Sequence, residues 1–269
     1  MTPVDDMAFY DTPGLWIPDH DEVHICCVFT WDIEQAKDMQ FQWQGRTKKP
    51  VLIDGPAFGN SGGEFVPVRY VKPGVVFTSR GCPNKCRWGD MRCLVPEREG
   101  KLRELSIHEG NWINDNNFLA CSKQHREKVY QMLRGQKAVE FKGGLEAARL
   151  TDWDIEQMRS LRIRKMFFAC DHDGAIPLIQ KTAKRLYAAG YKWDHLHCFV
   201  VIGDDMKKNE SRLIAVAEAG IMPFAQLYQP PEKWIDYPQE WKQFARLWSR
   251  PIIYKAWLKA RLQPNRQEA

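Results

Sequence analysis

Three cysteines, Cys82, Cys86 and Cys93, stand within a dozen residues of one another, directly after the apolar run Val75-Val76-Phe77-Thr78. Three thiolates can hold three irons of a [4Fe-4S] cluster, and a trio rather than a quartet leaves the fourth iron open to a ligand. Two plainer readings compete: cysteine is a small hydrophobe often buried for packing, and the trio could belong to a zinc site. The residues between the cysteines, Pro83, Asn84, Lys85, Arg87, Gly89, Asp90 and Arg92, are those of a polar loop and not of a core strand. Zinc usually takes four ligands in two CxxC-like pairs. No second pair exists here, so His108 or Cys121 would have to serve as a distant fourth ligand.

The elements that must position this loop can be read from periodicity. Strand-like runs at 74–78, 112–115, 138–142, 165–170, 196–202 and 222–228 alternate with helical patterns. Ser122 caps a helix through Leu133, and Thr151 with Asp154 forms a capping-box pattern before Ile155, Met158 and Leu161. Further helices run from Ile176 to a stop at Gly190 and over 209–219 to a stop at Gly220. Successive strands start roughly 25 to 40 residues apart, the length of a βα unit. Six such units predict an α/β fold with a parallel sheet, either rolled into an open or closed barrel or doubly wound.

Upstream, residues 23–30 read as a strand, 31–43 as a helix and 51–54 as a strand, and the Gly/Pro-rich stretch 55–63 reads as a linker. That linker contains Gly59-Asn60-Ser61-Gly62-Gly63, a formal GxSxG match, but the extended, proline-containing 64–68 after it is no helix, so chance is the better explanation. At the other end, residues 241–262 interleave aromatics with Lys and Arg. Two amphipathic helices broken at Pro251 explain this best, and a stacking nucleic-acid face is the rival. The expected division is 1–72, 73–235 and 236–269.

The chain has 269 residues, 44% of them hydrophobic, enough to bury one barrel-sized core. No apolar run of about 18 residues predicts a membrane span, and Met1-Thr2-Pro3-Val4-Asp5-Asp6 has no signal-peptide pattern, so a cytoplasmic protein is expected. In that reducing setting the 8 cysteines are thiols or metal ligands. A net charge of +5 leaves nucleic acid without support as a partner. Patterns of dinucleotide enzymes, P-loop ATPases and zincins are absent. Cys26, Cys27 and Cys198 read as core residues, Cys170 as a strand-tip residue of either kind, His195 and His197 as structural, and His172 as the more functional histidine.

The strand, the entry Thr78-Ser79-Arg80-Gly81-Cys82-Pro83-Asn84-Lys85-Cys86 and the exit 95–104 resemble the radical S-adenosylmethionine (SAM) enzymes, in particular a phage and bacterial branch related to cobalamin-type members. The family usually spaces its cysteines CxxxCxxC with an aromatic residue before the third. Here Trp88 is in place, Gly89 stands where the third cysteine should be, and Cys93 comes four residues late, as if Gly89 to Arg92 had been inserted. The resemblance implies a partial (β/α)6 TIM-like barrel with a small N-terminal βαβ extension. It further implies that Cys82, Cys86 and Cys93 hold a [4Fe-4S] cluster, and that SAM is reductively cleaved to a 5'-deoxyadenosyl radical acting on an unknown substrate. An electron donor such as flavodoxin or ferredoxin would be needed. The N-terminal piece resembles a shortened cobalamin-binding domain, but it lacks the DxHxxG pattern, so no tightly bound cobalamin is expected.

Active sites of α/β barrels lie at the carboxyl ends of the strands. The resemblance implies that Asp115 and Asn116, in the tip Asn114-Asp115-Asn116-Asn117, contact the SAM amino group. Gly143 and Gly144 would allow close approach of a ligand, Glu146 would accept a hydrogen bond, and Arg149 would fork onto a carboxylate. Gly143-Gly144-Leu145-Glu146 is alternatively the counterpart of the family's GGE motif. Asp171 would meet the ribose hydroxyls and Gly203 the adenine side. Each tip also has an ordinary reading as turn or helix-cap residues. Two other classes stay open: a catalytically degenerate barrel that binds a partner or nucleic acid, and a zinc-stabilised binding protein.

Overall fold

Along Leu196–Ile202 the side chains of Leu196, Cys198, Val200 and Ile202 are fully buried, while Phe199 and Val201 between them are half-buried. Period-two alternation of this kind marks a strand with one face packed against other elements and the other face pointing elsewhere. The computed structural model describes residues 2–12, 14–58, 67, 69–88, 91–93, 95, 99–230 and 233–262. The strands, in chain order, are β1 (Val23–Cys26), β2 (Val51–Asp54), β3 (Val75–Val76), β4 (Ser79–Arg80), β5 (Arg87–Trp88) and β6 (Met91–Arg92), then β7 (Arg103–Glu104), β8 (Trp112–Ile113), β9 (Val139–Leu145), β10 (Ile163–Ala169), β11 (Leu196–Ile202) and β12 (Met222–Leu227). The helices are α1 (Ile33–Gln44), α2 (Lys123–Arg134), α3 (Asp152–Arg159), α4 (Ile176–Ala188), α5 (Met206–Glu218), α6 (Gln239–Ser249) and α7 (Pro251–Leu262). The GxSxG match and most of the linker fall on residues 59–66 and 68, outside those described.

β3, β8, β9, β10, β11 and β12 lie side by side in that order, every neighbouring pair parallel. The order is sequential, without the reversal that marks the switch point of a doubly wound sheet. Helix residues Val129, Tyr130, Leu133, Ile155, Met158, Ile179, Ala183, Leu186, Leu213 and Val216 share one hydrophobic cluster with Met166, Phe168, Cys198 and Val200 of the sheet. Burial of each large side chain contributes about 1.5–3 kcal/mol. The opposite face carries its own aromatic row. Phe167 stacks on His197 (4.6 Å) and on Phe199 (4.7 Å), Phe199 meets Phe224 edge-on, and Lys142 sits over Trp112 and Phe167.

The β9–β10 register slips between Met166↔Phe141 and Phe168↔Leu145, so Lys142, Gly143 and Gly144 oppose Phe167 alone. This is a bulge at the carboxyl end of the central strands. Strand β3 is shorter than the 74–78 expected, because at Ser79 the chain leaves the sheet and pairs antiparallel with β7. Short pairs of two residues per strand, such as β4–β7 and β5–β6, offer too little alternation to be read from sequence.

The N-terminal βαβ unit is present: β1 and β2 pair in parallel, and α1 closes a second small cluster of Ile25, Cys27, Ala36 and Trp43. Cys26 is exposed rather than core, whereas Cys27, Cys170 and Cys198 are buried. At the other end Trp248 is wholly buried, with Trp241, Phe244 and Leu247 of α6 packed on the main core, and Pro251 opens α7. The aromatics-inward reading therefore holds for α6, while Ile252 of α7 is 86% exposed. Among the described residues, no helix is long and apolar enough to cross a membrane.

The capping box at Thr151 forms and does more than cap. Asp154 is fully buried, receives Thr151 N–H (3.1 Å) and the Tyr130 hydroxyl (3.0 Å), and pairs with Arg126. One carboxylate thus locks α2 to α3, and its negative charge, added to burial, pushes the Tyr130 phenol well above its usual range. Asp154→Ala leaves the Arg126 charge buried and unpaired, and should cost about 3–5 kcal/mol in urea unfolding.

Candidate functional site at the strand ends

The cysteine loop starts where β3 ends, and its path is set by three consecutive residues of the neighbouring strand tip. Asp115 is 1% exposed and accepts hydrogen bonds from Thr78 N–H (2.6 Å), the Thr78 hydroxyl and the Ser79 hydroxyl (2.9 Å). Asn116 Oδ1 accepts from Gly81 N–H (3.0 Å). Asn117 Nδ2 donates to Cys82 Sγ (3.4 Å) and to Glu146 Oε2 (2.7 Å). The β8 tip therefore grips the chain at Thr78, Ser79, Gly81 and Cys82 in turn. Gly81 makes the turn feasible: its φ is +85°, and a Cβ there would stand 2.5 Å from the Lys101 carbonyl. Arg80 forms a two-point pair with Glu99 of the returning segment, both largely buried.

Beyond Cys86 the late third cysteine has a structural account. β5 and β6 pair antiparallel, Trp88 opposite Met91, and Cys93 N–H donates to the Cys86 carbonyl at 2.8 Å. This antiparallel pairing sets Cys93 beside Cys86; Gly89 and Asp90 lie outside the described residues.

Cys93 and Cys86 face each other across the β5–β6 pair, and their electrostatics include Cys82. Partial burial raises the Cys86 pKa first, followed by the charges of Cys93, Cys82, Asp171 and Glu146. Burial also raises Cys93, against a backbone hydrogen bond at Val95 that lowers it, with Cys82 and Asp171 adding to the rise. Among the described residues, no three His, Cys, Asp or Glu side chains form a group that could hold a single metal ion. The sulfurs share a region without converging on one point. Of the two distant zinc-ligand candidates, Cys121 is buried beside Ser79 and Asp115 with its pKa pushed up to about 12, chiefly by burial, and His108 lines a cleft of about 340 Å³ at the amino ends of β3 and β8. A second cleft, lined by Arg162, Lys165 and His195 among others, is likewise at the amino ends of the strands.

Glu146 and Arg149 join the cysteine loop. Arg149 donates to Glu146 Oε2 (2.6 Å) and to Asn84 Oδ1 (3.3 Å), so it ties the tip of β9 to the residues between Cys82 and Cys86. Asp171 comes directly after β10, with Oδ1 accepting from Val201 N–H (3.3 Å); burial raises its pKa against that bond and the Arg212 and His172 charges. Arg212, 2% exposed, fixes this corner by donating to the Asp171 and Val201 carbonyls and to Asp173.

Three sequence-based roles change on this geometry. Asp115 is spent on holding Thr78 and Ser79, so it positions the loop and has no face left for a ligand. Gly143 is needed because a Cβ would strike the Asp115 carbonyl at 1.8 Å, whereas Gly144 (φ +107°) has open space at that position. The room left by Gly203 is taken by the Tyr237 ring, whose hydroxyl would stand 2.4 Å from a Cβ. Asn117 and Asn84 are legible only as members of the tip and the cysteine loop, and Arg212 and the aromatic row give no signal in the sequence alone. His197 keeps its structural reading: burial, then the Lys165 charge, lowers its pKa to about 4, so it is neutral at pH 7. His172 is exposed, and it reaches the site only through its charge, which acts to lower the neighbouring Asp171 pKa.

The chain matches no protein-family model and no curated protein sequence.

Burial holds the Asp115 carboxyl above the usual aspartate range, against the hydrogen bonds from Thr78 and Ser79. Folding therefore favours its protonated form. Its contribution falls as pH rises from the ordinary aspartate value to the folded one, then stays constant, with a slope of at most about 1.4 kcal/mol per pH unit. Asp115→Asn should flatten that part of the stability profile, measured by urea unfolding at a series of pH values above about 4.

Proposed function

We propose that this chain is a radical SAM enzyme, built as a partial (β/α)6 barrel and acting in a reducing, cytoplasmic setting. The observation that carries the reading is the gathering of Cys82, Cys86 and Cys93 at the carboxyl end of a sequentially ordered parallel sheet, beside Glu146 and Asp171. Sequential order with crossovers of one hand puts the helices on one face and turns the aromatic face inward, which is how a barrel begins. All 8 cysteines are free.

The donor set fits a cluster. Burial, then the Cys93 and Cys82 charges, raise Cys86, and burial with the Cys82 charge raises Cys93; thiolates so placed repel one another once ionised, and a cationic iron centre relieves that repulsion. Thiolates on separate irons need not share one point, unlike ligands of a single zinc ion. Bound here, a [4Fe-4S] cluster and SAM would supply reductive cleavage of SAM to a 5'-deoxyadenosyl radical that takes hydrogen from the substrate.

The chain's own groups do the binding. Asn117 Oδ1 is buried without a partner and is the acceptor at the β8 tip for an ammonium group. The 40% exposed Arg149 side chain can meet a carboxylate without leaving Glu146. Asp171 offers a carboxylate oxygen to ribose hydroxyls while Val201 and Arg212 hold its side chain and backbone in place. Gly144 leaves backbone open beside them. An electron donor of the flavodoxin or ferredoxin class completes the requirement.

Anaerobic reconstitution with electron paramagnetic resonance as the readout tests this. Reduced wild-type protein should show a [4Fe-4S] signal that changes when SAM is added. Single Cys82→Ala, Cys86→Ala and Cys93→Ala variants should each lose it. A Cys93→Ala protein with a full cluster would remove the third ligand, and folded wild-type protein with no cluster would overturn the proposal.

A further inference from the structure

Asn117 does more than complete the grip of the β8 tip, because both hydrogens of its amide are committed: one to Cys82 Sγ at 3.4 Å and one to Glu146 Oε2 at 2.7 Å. The orientation is fixed. Flipping the amide would place Oδ1 against the carboxylate oxygen, and Glu146 is itself held by Arg149. Asn117 is 4% exposed and is anchored by the next two residues, Phe118 (1%) and Leu119 (3%). A hydrogen bond made by a buried amide is stronger than one in water.

We infer, resting on the reading that these cysteines hold a cluster, that Asn117 sets the cluster's reduction potential through its N–H···S bond to Cys82. Reduction adds negative charge that is shared with the sulfur ligands. A donor aimed at one of those sulfurs stabilises the reduced state and raises the potential. Glu146 fixes the amide, Arg149 fixes Glu146, and the chain from Arg149 to the sulfur becomes a control on how readily the electron is accepted.

The test compares wild-type protein with Asn117→Leu, which keeps the volume and removes the donor. Each is reconstituted anaerobically, its iron content is measured, and its midpoint potential is taken from a redox titration monitored by electron paramagnetic resonance. The leucine variant should hold a full cluster that is harder to reduce, by a few-fold to tenfold in the redox equilibrium; tenfold is about 59 mV for one electron. If it takes up no iron, Asn117→Met, a neutral side chain without an N–H donor, carries the same comparison. Equal potentials in wild type and variant would overturn the tuning role and leave the cluster reading intact. Loss of the cluster in both variants would assign Asn117 to holding the loop, and also overturn it. Absence of a cluster from wild type would remove both readings.

Discussion

Everything at the candidate site depends on side chains of one strand tip hydrogen-bonding to the backbone and side chains of the strand beside it. Asp115, Asn116 and Asn117 reach across to Thr78, Ser79, Gly81 and Cys82, and so convert the exit of a two-residue strand into a defined path. β3 alone contributes too few ladder bonds to fix the cysteine loop. The tip supplies the missing constraints, and Gly143 lets β9 come close enough to keep the tip in place. Apart from Asn117 Oδ1, the polar groups of this grip are paired, and such a network specifies one arrangement because any alternative leaves buried donors without acceptors.

The same grip creates an electrostatic conflict. Three thiols and two carboxylates are brought into one another's field, and nearby cations are largely occupied: Arg149 by Glu146 and Asn84, Arg80 by Glu99, Arg212 by Asp173 and backbone carbonyls. The protein keeps these groups together by backbone and side-chain hydrogen bonds rather than by opposite charge. With their pKa raised above the ordinary thiol value, Cys86 and Cys93 stay protonated and neutral at pH 7, which keeps the arrangement stable beside the carboxylates.

Much of the fold is legible in the sequence because its long strands are apolar, β-branched or aromatic runs separated by capped helices. β11 and β2 have the bounds that periodicity predicts, and Ser122 and Thr151 cap the helices that their spacing predicts. The cysteine loop and its strand-end setting are legible for the same reason: cysteines after an apolar run are a local signal. The part that is not legible is relational. Asp115 and Asn117 are near neighbours of similar type, yet one is saturated by Thr78 and Ser79 while the other faces sulfur, and that difference depends on which residues at the end of β3 stand opposite. Gly143 and Gly203 look alike in sequence, but each makes room for a particular neighbour, a carbonyl in one case and a tyrosine ring in the other. The bulge in β9 likewise appears only when β10 is laid beside it.

The β5–β6 pair separates spacing along the chain from spacing in space. Because its two strands run side by side, adding or removing one residue from each arm leaves Cys86 and Cys93 facing each other, while a change in one arm alone rotates the pleat and turns one side chain away. The invariant of such a loop is therefore parity, not length.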